Sequence, residues 1–213
     1  MKKILKYIFV LAILLVIGFC YGYYKYTEKN YTETEKIPYT NGVLFSEGQY
    51  KVKETLFGKE KMEIGLWRTT YPNGTIKKQV EYDENGDTIS GKIYFLNGIL
   101  ESSYLNKDGL EFFIEYSEDG KLESETTRTE EGDGEDSYMK EEKKVYYKNG
   151  QIKSFERFID GETDGTYIEW YENGQQKIEK EYNEGSLDGA YKVWDEKGAV
   201  LLSIEFKNDV FIK

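Results

Sequence analysis

A chain of 213 residues with 32% charged side chains and a formal net charge of −11 has room for one folded region of moderate size, and it is too polar to be embedded wholly in a membrane. It contains no His and a single Cys, Cys20, which excludes imidazole bases and ligands, Ser-His-Asp triads, intrachain disulfides and thiolate zinc cages. The acidity makes phosphate backbones and anionic headgroups poor partners, so no nucleic-acid role is expected, and a basic protein patch or a divalent cation is the more natural counterpart.

The charge is unevenly placed. Residues 1–30 hold Lys2, Lys3, Lys6, Lys25 and Lys29 against Glu28 alone, so the acidic excess lies further on. The run from Tyr7 to Tyr24 is uncharged. At ~1.5 Å per residue its helical length approaches the ~30 Å of a hydrocarbon core. Lysines precede the run and Tyr21, Tyr23 and Tyr24 close it. This predicts an N-terminal transmembrane signal anchor over residues 1–25, contacting the membrane through residues 4–24, with the N-terminus cytoplasmic and the rest outside. The alternatives are secretion after cleavage near Cys20-Tyr21-Gly22, and acylation of Cys20, against which Phe19 stands. Residues 26–40 (YTEKNYTETEKIPYT) are polar and read as a linker.

Beyond residue 40 the chain repeats itself. With Gly74, Gly150, Gly174 and Gly198 in register, an aromatic stands eight residues after each: Tyr82, Phe158, Tyr182 and Phe206. Nine residues before Gly74, Gly174 and Gly198 stand Gly65, Gly165 and Gly189, each followed two residues later by Trp67, Tyr167 or Tyr191. The period is 24 residues from Gly74 to Gly98, and again from Gly150 through Gly174 to Gly198. Second turns at Asn85-Gly86, Asp108-Gly109, Asp160-Gly161 and Glu184-Gly185 fall between these. Asn-Gly and Asp-Gly accept the positive φ that tight hairpin turns require. Between turns the apolar period is two: Ile76, Val80 and Tyr82 share one face, as do Val200, Leu202, Ile204 and Phe206. The expected fold is all-β, an elongated array of antiparallel β-hairpin repeats forming a meander sheet over residues 41–213. The repeats are clearest at 65–98 and 145–206, with turn glycines Gly74, Gly86, Gly98, Gly150, Gly161, Gly174, Gly185 and Gly198. An acidic, nearly apolar-free insertion at about 121–144 reads as a solvated loop or an elongated hairpin tip.

The stretches DGETDGTYIEWYENGQQKIEKEY (160–182), NEGSLDGAYKVWDEKGAVLLSIEF (183–206) and GLWRTTYPNGTIKKQVEY (65–82) resemble the MORN-repeat variant family, whose bacterial members include YwqK-type antitoxin-like proteins. The resemblance implies a sheet of consecutive hairpins that binds another protein, and it implies no catalytic residues.

The residues themselves offer little chemistry. Asp160-x-Glu162-x-Asp164-Gly165 begins like a calcium loop, yet its twelfth position is Tyr171 rather than a bidentate Glu. The run from Glu130 to Asp136 reads as a solubilising loop. No catalytic, cofactor-binding or metal-binding residue is expected, and the chain reads as a non-enzyme. Aromatics are the informative residues. Trp170 and Tyr171 are adjacent, so on a strand one of them must leave the core face. Trp67, Tyr71, Trp170, Tyr171 and Trp194 are therefore the candidate partner-facing residues. The reading is a membrane-anchored protein-binding scaffold. The alternatives are an antitoxin or immunity protein that neutralises a basic toxin by direct binding, and a self-associating envelope protein.

Overall fold

The computed structural model describes residues 13–23, 25, 28–55 and 58–212. Residues 13–23 are helical and exposed, while residues 1–12 of the expected anchor lie outside the described residues. Among the described residues no helix is long and apolar enough to cross a membrane.

The remainder is one antiparallel sheet of 16 strands. It begins with β1 (Lys29–Pro38), β2 (Leu44–Thr55), β3 (Gly58–Thr70) and β4 (Ile76–Tyr82). It continues with β5 (Thr88–Tyr94), β6 (Leu100–Lys107), β7 (Leu110–Tyr116), β8 (Leu122–Glu131) and β9 (Tyr138–Tyr146). Then come β10 (Ile152–Ile159), β11 (Glu162–Thr163), β12 (Gly165–Trp170), β13 (Gln176–Asn183), β14 (Ser186–Trp194), β15 (Val200–Lys207) and β16 (Val210–Phe211). Strands pair in chain order, the short β11 branching off beside β10, and substantial contacts join only sheet neighbours.

One expectation about segments changes here, and one open alternative resolves. Residues 29–38, taken as linker, form β1, paired with β2 along its whole length. Its Lys and Glu residues find opposite charges across the ladder, as in Lys36–Glu47 at 3.5 Å and Lys61–Glu33 at 3.3 Å, so a polar strand is accommodated at the sheet edge. The insertion at 121–144 is an elongated hairpin of β8 and β9, closed by a 3-10 turn at Gly134–Asp136. Arg128 bonds Glu141 at 2.6 Å across it, which is how a nearly apolar-free sequence holds strand structure.

The turns along one edge share a single design. In Tyr71-Pro72-Asn73-Gly74-Thr75 the Tyr71 amide donates to the Thr75 carbonyl at 2.8 Å, and the Gly74 amide donates to Tyr71 at 2.8 Å. The same pair of bonds closes the turns beginning at Tyr39, Phe95, Ser117, Tyr147, Tyr171 and Asp195. Gly74 has φ +87°, a conformation open to glycine and costly for most side chains. Across the opposite edge Asp108-Gly109, Asp160-Gly161 and Glu184-Gly185 have positive φ at both residues, the primed geometry that matches strand twist.

Each turn of the first edge is followed by a bulge. Thr70 pairs with Ile76 but Thr69 pairs with Lys78, leaving Lys77 unopposed. The register slips at the same place after every such turn, leaving Phe45, Glu101, Glu123, Lys153, Lys177 and Leu201 unopposed. The bulge reverses side-chain parity. Ile76 and Val200 therefore leave the face of Val80 and Leu202, contrary to uninterrupted alternation. It also sends the extra residue back over the turn aromatic. Lys77 stands 5.7 Å from the Tyr71 ring, Lys153 5.9 Å from Tyr147 and Lys177 5.7 Å from Tyr171, and Phe45 packs on Tyr39 at 5.1 Å.

Neighbouring turns are then tied together. The hydroxyls of Tyr71, Tyr147 and Tyr171 donate to the carbonyls of Tyr94, Trp170 and Trp194 at 2.8, 2.7 and 2.9 Å. Asn149 and Asn173 each accept from their own turn and donate at 3.0 Å to the next turn, at Glu172 and Glu196. The repeat is thus a hairpin whose turn bonds the following turn.

The core is thin. Among the described residues Ser46, Gly48, Val52, Trp67, Val80 and Ser124 are buried, and pair by pair the register puts all of them on one face. Trp67 lies over Gly48, where a Cβ would overlap the indole. Its Nε1 donates to the Gln49 carbonyl at 3.1 Å, and Tyr50 meets the ring edge-on at 4.7 Å. Gly48→Ala should therefore destabilise the fold by about 1–3 kcal/mol through overpacking, read as a lowered melting temperature. An unchanged melt would mean that the ring does not sit on the Gly48 backbone.

Candidate binding surface

Register defines rows that cross the sheet on the buried face. One runs Trp67, Val80, Gly91, Tyr104, Phe113, Thr126, Lys143, Glu156. The same face continues as Tyr167, Lys180, Tyr191 and Ile204. Its character changes along the array. The first part is apolar, with Tyr104 and Phe113 in a tilted ring pair at 5.0 Å. The middle is ionic: Arg128 meets Glu111 at 3.6 Å and Glu141 at 2.6 Å. In the last part Lys180 lies between two rings, 5.6 Å from Tyr167 and 5.3 Å from Tyr191.

The opposite face carries its own row of rings. Tyr94, Tyr116, Tyr146, Trp170 and Trp194 each occupy the last position of their strand, four residues before a turn glycine. Each pairs across the hairpin with the first residue after the turn: Leu100, Leu122, Ile152, Gln176 and Val200 respectively. The rings are half-buried, while Ile76 (36%), Ile152 (37%) and Val200 (60%) are exposed among them. Together they make a repeating aromatic and aliphatic stripe. Tyr146 donates to Glu125 at 2.6 Å and Tyr94 to Gln79 at 2.9 Å, which fixes two of the rings in place.

The five aromatics singled out by sequence therefore have three different positions. Trp67 is not partner-facing: it is 9% exposed, because Gly48 opens a seat for its ring on the core face. Tyr71 and Tyr171 are half-buried at the turns, each holding the next hairpin through its hydroxyl. Trp170 and Trp194 belong to the second-face stripe. Tyr94, Tyr116 and Tyr146 share that register and are not among the five residues singled out by sequence. Their constant distance from the turn glycine is the signal that finds them.

Among the described residues no group of three or more acidic, Cys or His side chains is arranged to hold a metal ion. The strongest perturbations of titratable groups are structural. Burial, then the hydrogen bond to Glu63, pushes Tyr82 up to about 12, and burial, then the bond to Glu125, does the same to Tyr146.

Residues 63–84 and 163–184 match the MORN repeat variant. Each match covers a strand, an Asn-Gly turn with its bulge, and the returning strand, which is the unit that the structure repeats. No curated protein matches the chain.

The shifted tyrosines predict a pH effect. The folded chain holds their protons more tightly than the unfolded chain, whose value is the ordinary 10.0. The stabilisation is complete below that pH and disappears as pH rises through about 12. The urea midpoint should fall between about pH 9 and pH 11.5, and the fall should be smaller in a Tyr82→Phe/Tyr146→Phe double variant. Parallel falls in both proteins would contradict the assignment.

Proposed function

We propose that this chain is a non-enzymatic, protein-binding scaffold that offers the second-face stripe to a flat or extended partner. The observation that carries the reading is the register: Tyr94, Tyr116, Tyr146, Trp170 and Trp194 recur on one line across the array, with exposed aliphatics beside them. A row of half-buried Tyr and Trp supplies large contact area at little cost in side-chain entropy, as binding hot spots do. MORN repeats are in general binding modules for proteins or membranes, which agrees with a role for the repeated unit itself. A partner with a basic surface suits the net charge of −11, which would steer its approach. Within this proposal the uncharged N-terminal run, Tyr7 to Tyr24, anchors the array with the sheet outside the cytoplasm.

The antitoxin reading shares the same acidic binding surface and differs in topology. Protease added to intact cells should digest the sheet if it is outside; complete protection would place it with cytoplasmic partners and favour the antitoxin. For the surface itself, a Trp170→Ser/Trp194→Ser variant should retain less than a tenth of the wild-type affinity for a partner captured from membranes, a loss of about 1.4 kcal/mol or more. Undiminished affinity in a folded double variant would remove the stripe from the account.

A further inference from the structure

We infer that the buried face carries a second binding site, a pocket floored by Gly91 that receives an aromatic side chain of a partner protein. This goes beyond the stripe on the opposite face and does not depend on it.

Among the strand glycines of the described sheet, only Gly48 and Gly91 lack a positive φ. A glycine inside a strand weakens it and commonly marks a place where another group approaches the backbone closely. Gly48 has its reason in the fold, since the Trp67 indole lies on it. Gly91 has none: a Cβ there would meet nothing nearer than 3.9 Å, at the Gln79 carbonyl and the Tyr104 Cβ. In register terms its position is that of Trp67, Phe113, Tyr167 and Tyr191, each lying three residues before the last residue of its strand. Where those strands supply a ring, β5 supplies a space.

The space is real in three dimensions. An open-topped pocket of about 370 Å³ lies over Gly91, walled by Val80, Ile93, Tyr104 and Phe113. Val80 and Tyr104 are the direct cross-strand neighbours of Gly91, so a ring entering from above would rest on the glycine backbone between them. Gly48 under Trp67 shows the same seat already filled within this molecule.

Charge at the rim indicates a protein segment as the occupant. Lys78 and Glu115 both line the pocket, and the register Lys78, Ile93, Ser102, Glu115 sets them three strand spacings apart, about 14 Å. Glu115 accepts from Ser124 at 2.6 Å. The matching ligand is an aromatic residue with a carboxylate on its β4 side and a cation on its β7 side, which a short peptide segment can present.

The test uses the full-length chain and three probes: the N-acetyl amides of tyrosine, tryptophan and leucine. Saturation-transfer NMR at millimolar probe should show contact with the two aromatic amides, and less with the leucine amide. Gly91→Val fills the pocket without strain at φ and should weaken aromatic binding at least tenfold while leaving the melting temperature equal or higher. Trp170→Ser/Trp194→Ser should leave probe binding unchanged, so failure here is separable from failure of the stripe. The inference is overturned if neither aromatic amide binds, if leucine binds equally well, or if Gly91→Val binds like wild type. A Gly91→Val chain that melts lower would also overturn it, because the glycine would then serve the fold.

Discussion

A strand in a single-layered sheet has only its two neighbours to satisfy its backbone and cover its side chains, and this constraint shapes nearly everything about the chain. Substantial contacts never leap from one strand to a distant one, so each hairpin must be held by the next. The molecule meets the requirement at its edge as well as within the ladder. A turn tyrosine donates to a backbone carbonyl one repeat further on, a turn asparagine does likewise, and the bulged residue returns to cover the tyrosine ring. Stability in such an array is close to a sum of repeat and nearest-neighbour terms.

The same geometry divides the surface. One face collects all of the buried side chains among the described residues, grading from rings to ion pairs to rings with Lys180 between them. The other holds a line of rings at the strand ends, fixed in place by the turn that follows each of them. Because the spacing of both rows is set by backbone register, a partner would meet a rigid and regular display whose chemistry varies by substitution at fixed positions. Gly91, standing where other strands place a ring, is one such substitution.

Much of this could be read from the chain before any fold was known, for a physical reason: glycines at positive φ and their Asn or Asp companions are local requirements, visible wherever a turn must form. The hairpin array, its 24-residue period and its two kinds of turn follow from them. The bulge could not be read in this way, since the unopposed residue is Lys, Glu, Phe or Leu in different repeats, and only the pairing partner reveals it. Missing it puts Ile76 and Val200 on the wrong face. The seat for Trp67 depends on Gly48, a residue of the neighbouring strand that no repeat register connects to it. Strand β1 was hidden by its polarity, because its stabilising charges lie on β2 and β3. The stripe was half visible: its two tryptophans stood out, and its three tyrosines did not.

Neighbour-only coupling is the central claim, and site-resolved hydrogen exchange in a Trp67→Ala variant tests it most directly. Removing that ring should cost about 3–5 kcal/mol locally. The account predicts that lost amide protection is confined to β2–β5 and fades strand by strand, with β12–β15 exchanging as in the wild type. An equal loss of protection in every strand out to β15 would show one globally cooperative unit and contradict it.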